Sequence, residues 1–296
     1  MSVIDTRTAY DIDVADVVYL QHEGNDLLAR IYRPRDSGAF PMMVDLHGGA
    51  WCNGDRHNDK VLCEALAASG VVVAALDFRQ PPTAGYPAAM ADINFGIRWL
   101  KSKAEAFGGD AERVGMFGIS SGGQQAMLVA MRPDEPRYAA IQRPEVAGFD
   151  ATVGCVVLCW PVIDPLGRYQ YAQQRIAAND GYPKQLPGVI PNHDKFWESE
   201  DSMSEGSPVR ILERGERIEM PPVLYVQGEA DEMHPRPHLD RFVELYRERG
   251  GSVDLRLYPG EVEGFVTRAP NAVANQKDGT ERIVAFVHDQ LNRRAN

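Results

Sequence analysis

No stretch of this 296-residue chain approaches the roughly 18 consecutive apolar residues of a membrane-spanning helix. Its first thirty residues hold six acids and lack the apolar run of an export signal. Positive charge is also in short supply. Against 42 Asp and Glu stand 31 Lys and Arg, giving a net charge of −11 and a pI near 5.1. A field of that sign repels phosphate backbones and anionic headgroups, so neither nucleic acid nor a membrane surface is an expected partner. Only four cysteines occur, at 52, 63, 155 and 159, with no CxxC pair and no ligand spacing to histidine. Without an export signal they read as reduced thiols in a cytoplasmic protein, with Cys155 and Cys159 in an apolar core run. Histidines 22, 57, 193 and 288 form no HxH or HExxH pattern, so no metal is expected. The glycine-rich stretch 118–123 lacks a P-loop lysine, and no acidic residue follows at a dinucleotide-fold spacing, so a nucleotide cofactor is not expected either.

What the chain does have is a regular succession of apolar, β-branched runs bounded by turn residues. They fall at 17–20, 27–32, 42–46, 71–76, 114–117, 153–160, 223–226 and 253–258. From the third onward they are mostly continuous rather than alternating, as in strands covered on both faces. Helical patterns lie between them at 58–68, 88–106, 124–131, 236–249 and 282–291. This alternation predicts a single α/β domain with a mostly parallel eight-stranded sheet and right-handed crossovers. The short Glu23-Gly24-Asn25 link predicts an antiparallel hairpin at one edge. A late strand at 253–258 offers an edge able to pair across a homodimer.

One stretch breaks the rhythm. Residues 165–217 show no clear strand but carry Tyr169, Tyr171, Tyr182, Phe196 and Trp197. Disordered segments are poor in aromatics, so this one is expected to be an ordered cap over a pocket, with residues 1–16 as a further candidate contributor.

The strongest chemical signal is Gly118-Ile119-Ser120-Ser121-Gly122-Gly123, directly between a strand and a helix. In that context G-x-S-x-G raises a nucleophilic hydroxyl, here Ser120, above the sheet edge. A second signal, His47-Gly48-Gly49-Ala50-Trp51, follows the 42–46 strand. Glycine amides approach a substrate oxygen closely, so Gly48 and Gly49 are candidate oxyanion donors, with the Ser121 amide as a third. His47 reads as a residue that organises the loop.

These motifs resemble the hormone-sensitive-lipase branch of the α/β-hydrolases, which includes bacterial esterases and kynurenine-formamidase-like enzymes. Similarity extends from about residue 17 to the C-terminal helix, through Tyr86-Pro87-Ala88-Ala89 with Asp92 and Trp99, Gly109-Asp110, and Trp160-Pro161. The resemblance implies an α/β-hydrolase fold with a cap, no cofactor, and a small ester-like substrate. It also carries the triad acid onto Asp231, in Gly228-Glu229-Ala230-Asp231 after the 223–226 strand.

At the third triad position the chain departs from the pattern. Where the family has His-Gly-Phe, this sequence reads Glu263-Gly264-Phe265. A Ser120–Glu263–Asp231 site is chemically feasible, because two close carboxylates push one pKa upward toward useful basicity. His234 and His238, near Asp231, are the alternative bases. Trp51, Tyr86 and Phe265 suggest an apolar or aromatic pocket. The leading expectation is a serine hydrolase of small or medium esters, with amides and lactones as further substrates. Two alternatives stay open. One is a non-catalytic binding protein, like the plant gibberellin receptors that lack the triad histidine; the other is a lyase using Glu263 as base.

Overall fold

The computed structural model describes residues 9–267 and 274–293. Eight strands form one sheet: β1 (Ile12–His22), β2 (Asn25–Pro34), β3 (Phe40–Leu46), β4 (Val72–Leu76), β5 (Gly109–Ile119), β6 (Val156–Cys159), β7 (Val223–Gly228) and β8 (Val253–Tyr258). Their spatial order is β1-β2-β4-β3-β5-β6-β7-β8. The hairpin β1–β2 is antiparallel, and β2 joins β4 antiparallel. Every later pairing is parallel. All eight apolar runs of the sequence fall on these strands.

The helices are α1 (Lys60–Ala68), α2 (Ala88–Ser102), α3 (Ala104–Phe107), α4 (Ser121–Met131), α5 (Pro165–Ala178), α6 (Val189–Trp197), α7 (Glu200–Glu205), α8 (Pro208–Glu213), α9 (Arg236–Glu248) and α10 (Ala274–Asn292). Among the described residues none is long and apolar enough to cross a membrane. Alternation along each strand divides the core in two. On one face Val44, Leu46, Met116 and Leu158 pack with side chains of α2, α4 and α9. On the other, Met43, Val73, Phe117 and Val157 meet Leu62 and Leu66 of α1 and Ile283 and Val287 of α10. Strands buried on both faces must be apolar at every position, which is why their sequence signal was continuous.

The irregular stretch after β6 folds as α5 to α8. Phe196 and Trp197 of α6 pack against Trp51, with ring centroids 5.6 and 5.4 Å away. The Tyr86 amide donates to Phe196 O at 2.8 Å. These contacts hold the segment over the C-terminal ends of β3 and β5. Residues 1–8, part of the candidate cap contributor, lie outside the described residues, while residues 12–16 belong to the edge strand β1 rather than to this layer.

One polar pair interrupts the core. Asp45 on β3 and Asp59, the residue before α1, are both buried beside Cys63, whose thiol donates to Asp45 Oδ2 at 3.4 Å. Burial and the neighbouring Asp59 charge push Asp45 well above the usual carboxylate range. Burial pushes Asp59 up to about 7, although its hydrogen bond with Asp45 favours the anion. The two carboxyls therefore share a proton that the unfolded chain, with carboxyl pKa values near 4, has already released. A raised folded-state pKa stabilises below the unfolded value, and that stabilisation is lost as pH rises through the folded one. Thermal unfolding should accordingly show Tm falling between about pH 4 and pH 7 from this pair, and Asp59→Asn should flatten the decline. An identical slope in the variant would show that the pair does not carry it.

Candidate active site

Ser120 sits between β5 and α4 with φ 53° and ψ −116°, a conformation that non-glycine residues seldom adopt. Its neighbours force it there. A Cβ on Gly118 would lie 2.4 Å from Gly122 O, and one on Gly122 would lie 2.0 Å from Leu46 O. Only glycine at both places lets β5 turn into α4 this close to the end of β3. The Ser120 amide donates to Cys159 O at 3.0 Å, and its carbonyl accepts from Val162 N at 3.0 Å. Such a strained residue costs roughly 1–3 kcal/mol and persists because the backbone around it is fixed.

The loop after β3 is built in the same way. Gly49, Ala50 and Trp51 have φ of 112°, 51° and 61°. A Cβ on Gly49 would fall 1.9 Å from Asn53 O, whereas one on Gly48 would meet Ile119 O at 3.1 Å. The Trp51 amide donates to Ser121 Oγ at 3.1 Å, and its indole donates to Gln124 Oε1 at 2.8 Å. This ties the loop to the first turn of α4. Among the described residues no protein group accepts the amide hydrogens of Gly48, Gly49 or Ser121. His47 stacks on Phe78 and keeps its proton on Nδ1, 2.7 Å from Gly48 O. Burial lowers its pKa, so it is a neutral support of the loop.

The loop after β7 brings Asp231 and His234 together. Asp231 Oδ1 accepts from the amides of Met233 at 2.8 Å and His234 at 3.1 Å. Its Oδ2 lies 2.9 Å from His234 Nδ1, and His234 Nε2 lies 3.1 Å from Ser120 Oγ. The His234 carbonyl is fixed in turn by Gln227 Nε2 at 2.8 Å. Burial works to raise the Asp231 pKa, but the His234 imidazole and the two amides outweigh it and hold the carboxyl below its usual value. Asp231 is therefore an anion placed against the imidazole.

Glu263 does not occupy the place expected of it. No hydrogen bond joins it to Ser120; its Oε2 lies 3.9 Å from His234 Nδ1, on the side that Asp231 already holds. The expectation of a Ser120–Glu263 contact is corrected because the imidazole from the β7 loop fills that space. His238 is also away from Ser120: with Asp164 and Pro161 it lines a small separate cavity, and burial lowers its pKa.

Ser120 opens into a cavity of about 600 Å³ lined by Gly48, Gly49, Asn53, Asn58, Arg168, Gln185, Asn192, Met233, Glu263 and Thr267 among others. The three aromatics expected in the pocket are elsewhere. Trp51 is sealed under α6, Phe265 packs on Trp160 and Tyr258, and Tyr86 bonds to Tyr138 and Glu205. An aromatic side chain is more often core than lining, and here all three serve packing. The polar lining gave no sequence signal, because isolated Asn, Gln and Arg residues resemble any solvated surface. Among the described residues no group of three or more His, Cys, Asp or Glu could hold a metal ion.

Comparison with known proteins agrees with this architecture. The esterase Est2 of Thermogutta terrifontis, solved with butyrate bound, superposes with a TM-score of 0.72 at 23% identity, covering 96% of this chain and 95% of that one. Esterase LipC of Mycobacterium tuberculosis is 27% identical over 242 residues, covering 80% of this chain and 57% of that protein. Ethyl acetate hydrolase of Pseudomonas putida is 34% identical over 143 residues, covering 47% of this chain and 45% of that protein. The chain thus spans about half the length of these two sequence relatives. The BD-FAE family model matches residues 30–244, from β2 through most of α9, taking in the glycine loop, the elbow, Asp231 and His234. On that match, and with the fold shared with the Est2 structure, the chain belongs to the BD-FAE family of the α/β-hydrolase fold.

Proposed function

We propose that this protein is a serine carboxylesterase in which Ser120 is the nucleophile, His234 the general base and Asp231 the acid that orients it. The observation that carries the reading is the continuous chain from Ser120 Oγ to His234 Nε2 at 3.1 Å and from His234 Nδ1 to Asp231 Oδ2 at 2.9 Å. A proton on Nδ1, directed at the carboxylate, leaves the Nε2 lone pair facing the hydroxyl. As Ser120 Oγ attacks an ester carbonyl, its proton passes to Nε2 and an imidazolium forms beside Asp231. Glu263, 3.9 Å from Nδ1, supplies a second negative charge on the same side. The carbonyl oxygen becomes an oxyanion facing the uncommitted amides of Gly48, Gly49 and Ser121. His234 then protonates the departing alcohol, and water repeats the sequence on the acyl-enzyme.

The non-catalytic alternative rests on a missing triad histidine, and the His234 ring 3.1 Å from Ser120 Oγ weighs against it. The lyase alternative rests on Glu263 as the base; Glu263 lines the cavity, but the side chain within hydrogen-bond distance of Ser120 Oγ is His234. A cavity of about 600 Å³ suits small or medium esters. The names of LipC and the ethyl acetate hydrolase point to the same class of reaction.

Labelling with a fluorophosphonate, followed by peptide mass spectrometry, should place the adduct on Ser120 and none on the Ser120→Ala variant. His234→Ala should lower kcat for p-nitrophenyl acetate by about 10⁴–10⁶, as removal of a triad base does elsewhere. Glu263→Gln should stay within about tenfold of the parent, since it removes only an outlying charge. A loss of about 10² or more in Glu263→Gln with an active His234→Ala would overturn the assignment of the base.

The glycine loop gives a separate check. Gly49→Val must place a side chain on Asn53 O at a positive φ, displacing the amides, and should cost about 10²–10³ in kcat. Gly48→Ala, with its nearest contact at 3.1 Å, should cost less. Equal activity in the folded Gly49→Val protein would locate the oxyanion donors elsewhere.

A further inference from the structure

Arg168, on the first turn of α5, is a buried cation that the catalytic chain does not use. It is only 4% exposed, and its Nε and Nη1 have no hydrogen-bond partner among the described residues. Its guanidinium carbon lies 6.0 Å from the centre of the Trp51 ring, and that ring is fixed to Gln124 of α4. The same side chain lines the cavity into which Ser120 opens, and it is the only cation among the described residues there. Burial lowers its pKa to about 10, with Glu263 and Asp231 opposing the shift, so it stays charged at neutral pH.

A desolvated guanidinium with unused donors is expensive unless a partner completes it. No residue described here does so: Glu263 and Asp231 act on it through space, without a hydrogen bond or close ion pair to it. Guanidinium donors match the two oxygens of a carboxylate in a bidentate fork. The cavity also offers neutral amides at Asn53, Asn58 and Asn192, which donate to further anionic or hydroxyl oxygens. Glu263 lines it as well, so an anion placed beside Glu263 and away from Arg168 is repelled. We propose that Arg168 is a specificity residue that binds a carboxylate on the substrate, making the preferred substrates of Ser120 monoesters of dicarboxylic acids or other carboxylate-bearing esters. This rests on the hydrolase reading for the reaction but not for the binding.

The test separates the two. Monoethyl malonate, succinate, glutarate and adipate are compared with methyl-ketone esters of matching length, in which a neutral acetyl group replaces the carboxylate. Hydrolysis is followed by pH-stat titration. For at least one chain length the wild-type protein should favour the anionic ester by about 10–10² in kcat/KM, the worth of a charge-assisted hydrogen bond. Arg168→Met should abolish that preference, leave the neutral esters within about threefold, and leave Tm no lower, since it removes an uncompensated buried charge. Arg168→Lys should recover only part of the preference, because an ammonium lacks the fork. Calorimetric titration of Ser120→Ala with the same monoesters reads binding without turnover. No binding and no anionic preference, with Ser120 still labelled by the fluorophosphonate, would overturn the carboxylate site and leave the hydrolase standing. Arg168-dependent binding with Ser120 unlabelled would keep the carboxylate site and overturn the hydrolase. Arg168→Met lowering Tm and both substrate classes equally would make Arg168 structural and also overturn the proposal.

Discussion

The site depends on one close backbone approach, where Gly122 at the start of α4 meets the carbonyls of Leu46 and His47 at the end of β3. A Cβ on Gly122 would stand 2.0 and 2.4 Å from those oxygens. Because this contact is made without a side chain, the β3 loop and the β5–α4 elbow share one surface. The hydroxyl of Ser120 and the amides of Gly48 and Gly49 then reach the same cavity. The bond from Trp51 N to Ser121 Oγ fixes the distance between loop and helix. Parallel pairing of β3 with β5 supplies the alignment, since both strands end at the same level, Leu46 opposite Gly118. The placement of the proposed nucleophile and oxyanion donors is thus a consequence of sheet register and two glycines.

The second organising contact is the Asp231 carboxylate, which acts in two places at once. One oxygen takes the amides of Met233 and His234 and so shapes the turn, while the other takes the imidazole. A three-residue spacing would leave a histidine free to face solvent in an open loop. Here the bent chain returns the ring beneath its own acid, and Gln227 clamps its carbonyl from β7. In the proposed assignment acid and base ride on a single loop, where the resembling family spreads them over two. On the same assignment the segment after β8, which holds Glu263, takes no part in proton transfer.

This arrangement explains what could and could not be read in the sequence. Apolar runs, mostly continuous from the third onward, marked all eight strands, and the glycine spacings marked Ser120 and the β3 loop, because those signals are imposed by close packing. The sequence put Glu263 first as base, with His234 and His238 as alternatives, because the resemblance locates the histidine after the last strand and periodicity says nothing about which loop residue points where. His234 carried a usable signal: it follows Asp231 by three residues, within reach of a carboxylate-capped turn. The pocket was misjudged for a different reason. Trp51, Phe196 and Trp197 are aromatic because they glue α6 to the β3 loop, and the polar side chains lining the remaining cavity are amides, two carboxyls and one arginine, with Ser120 and Thr267. Whether an aromatic faces a core or a ligand is decided by tertiary packing, to which a linear pattern is blind.

The charge pattern of the completed site follows from these placements. Asp231 is an anion beside the His234 imidazole, and the buried Arg168 stays positively charged. In the proposed reaction, proton transfer from Ser120 creates a cation at His234 and an anion at the substrate oxygen. The cation forms where two carboxylates already stand, at 2.9 and 3.9 Å from Nδ1, and the anion forms where amides are uncommitted. Each new charge thus meets fixed groups of opposite sign, so little reorganisation accompanies the step, which is where preorganised sites gain most of their rate. A second carboxylate near the imidazole would by itself make the resting site too negative for an anionic ligand. Arg168, which lines the same cavity as Glu263, offsets that charge. The replacement of a histidine by Glu263 and the burial of an unpartnered arginine are therefore best understood as one electrostatic arrangement rather than two separate departures.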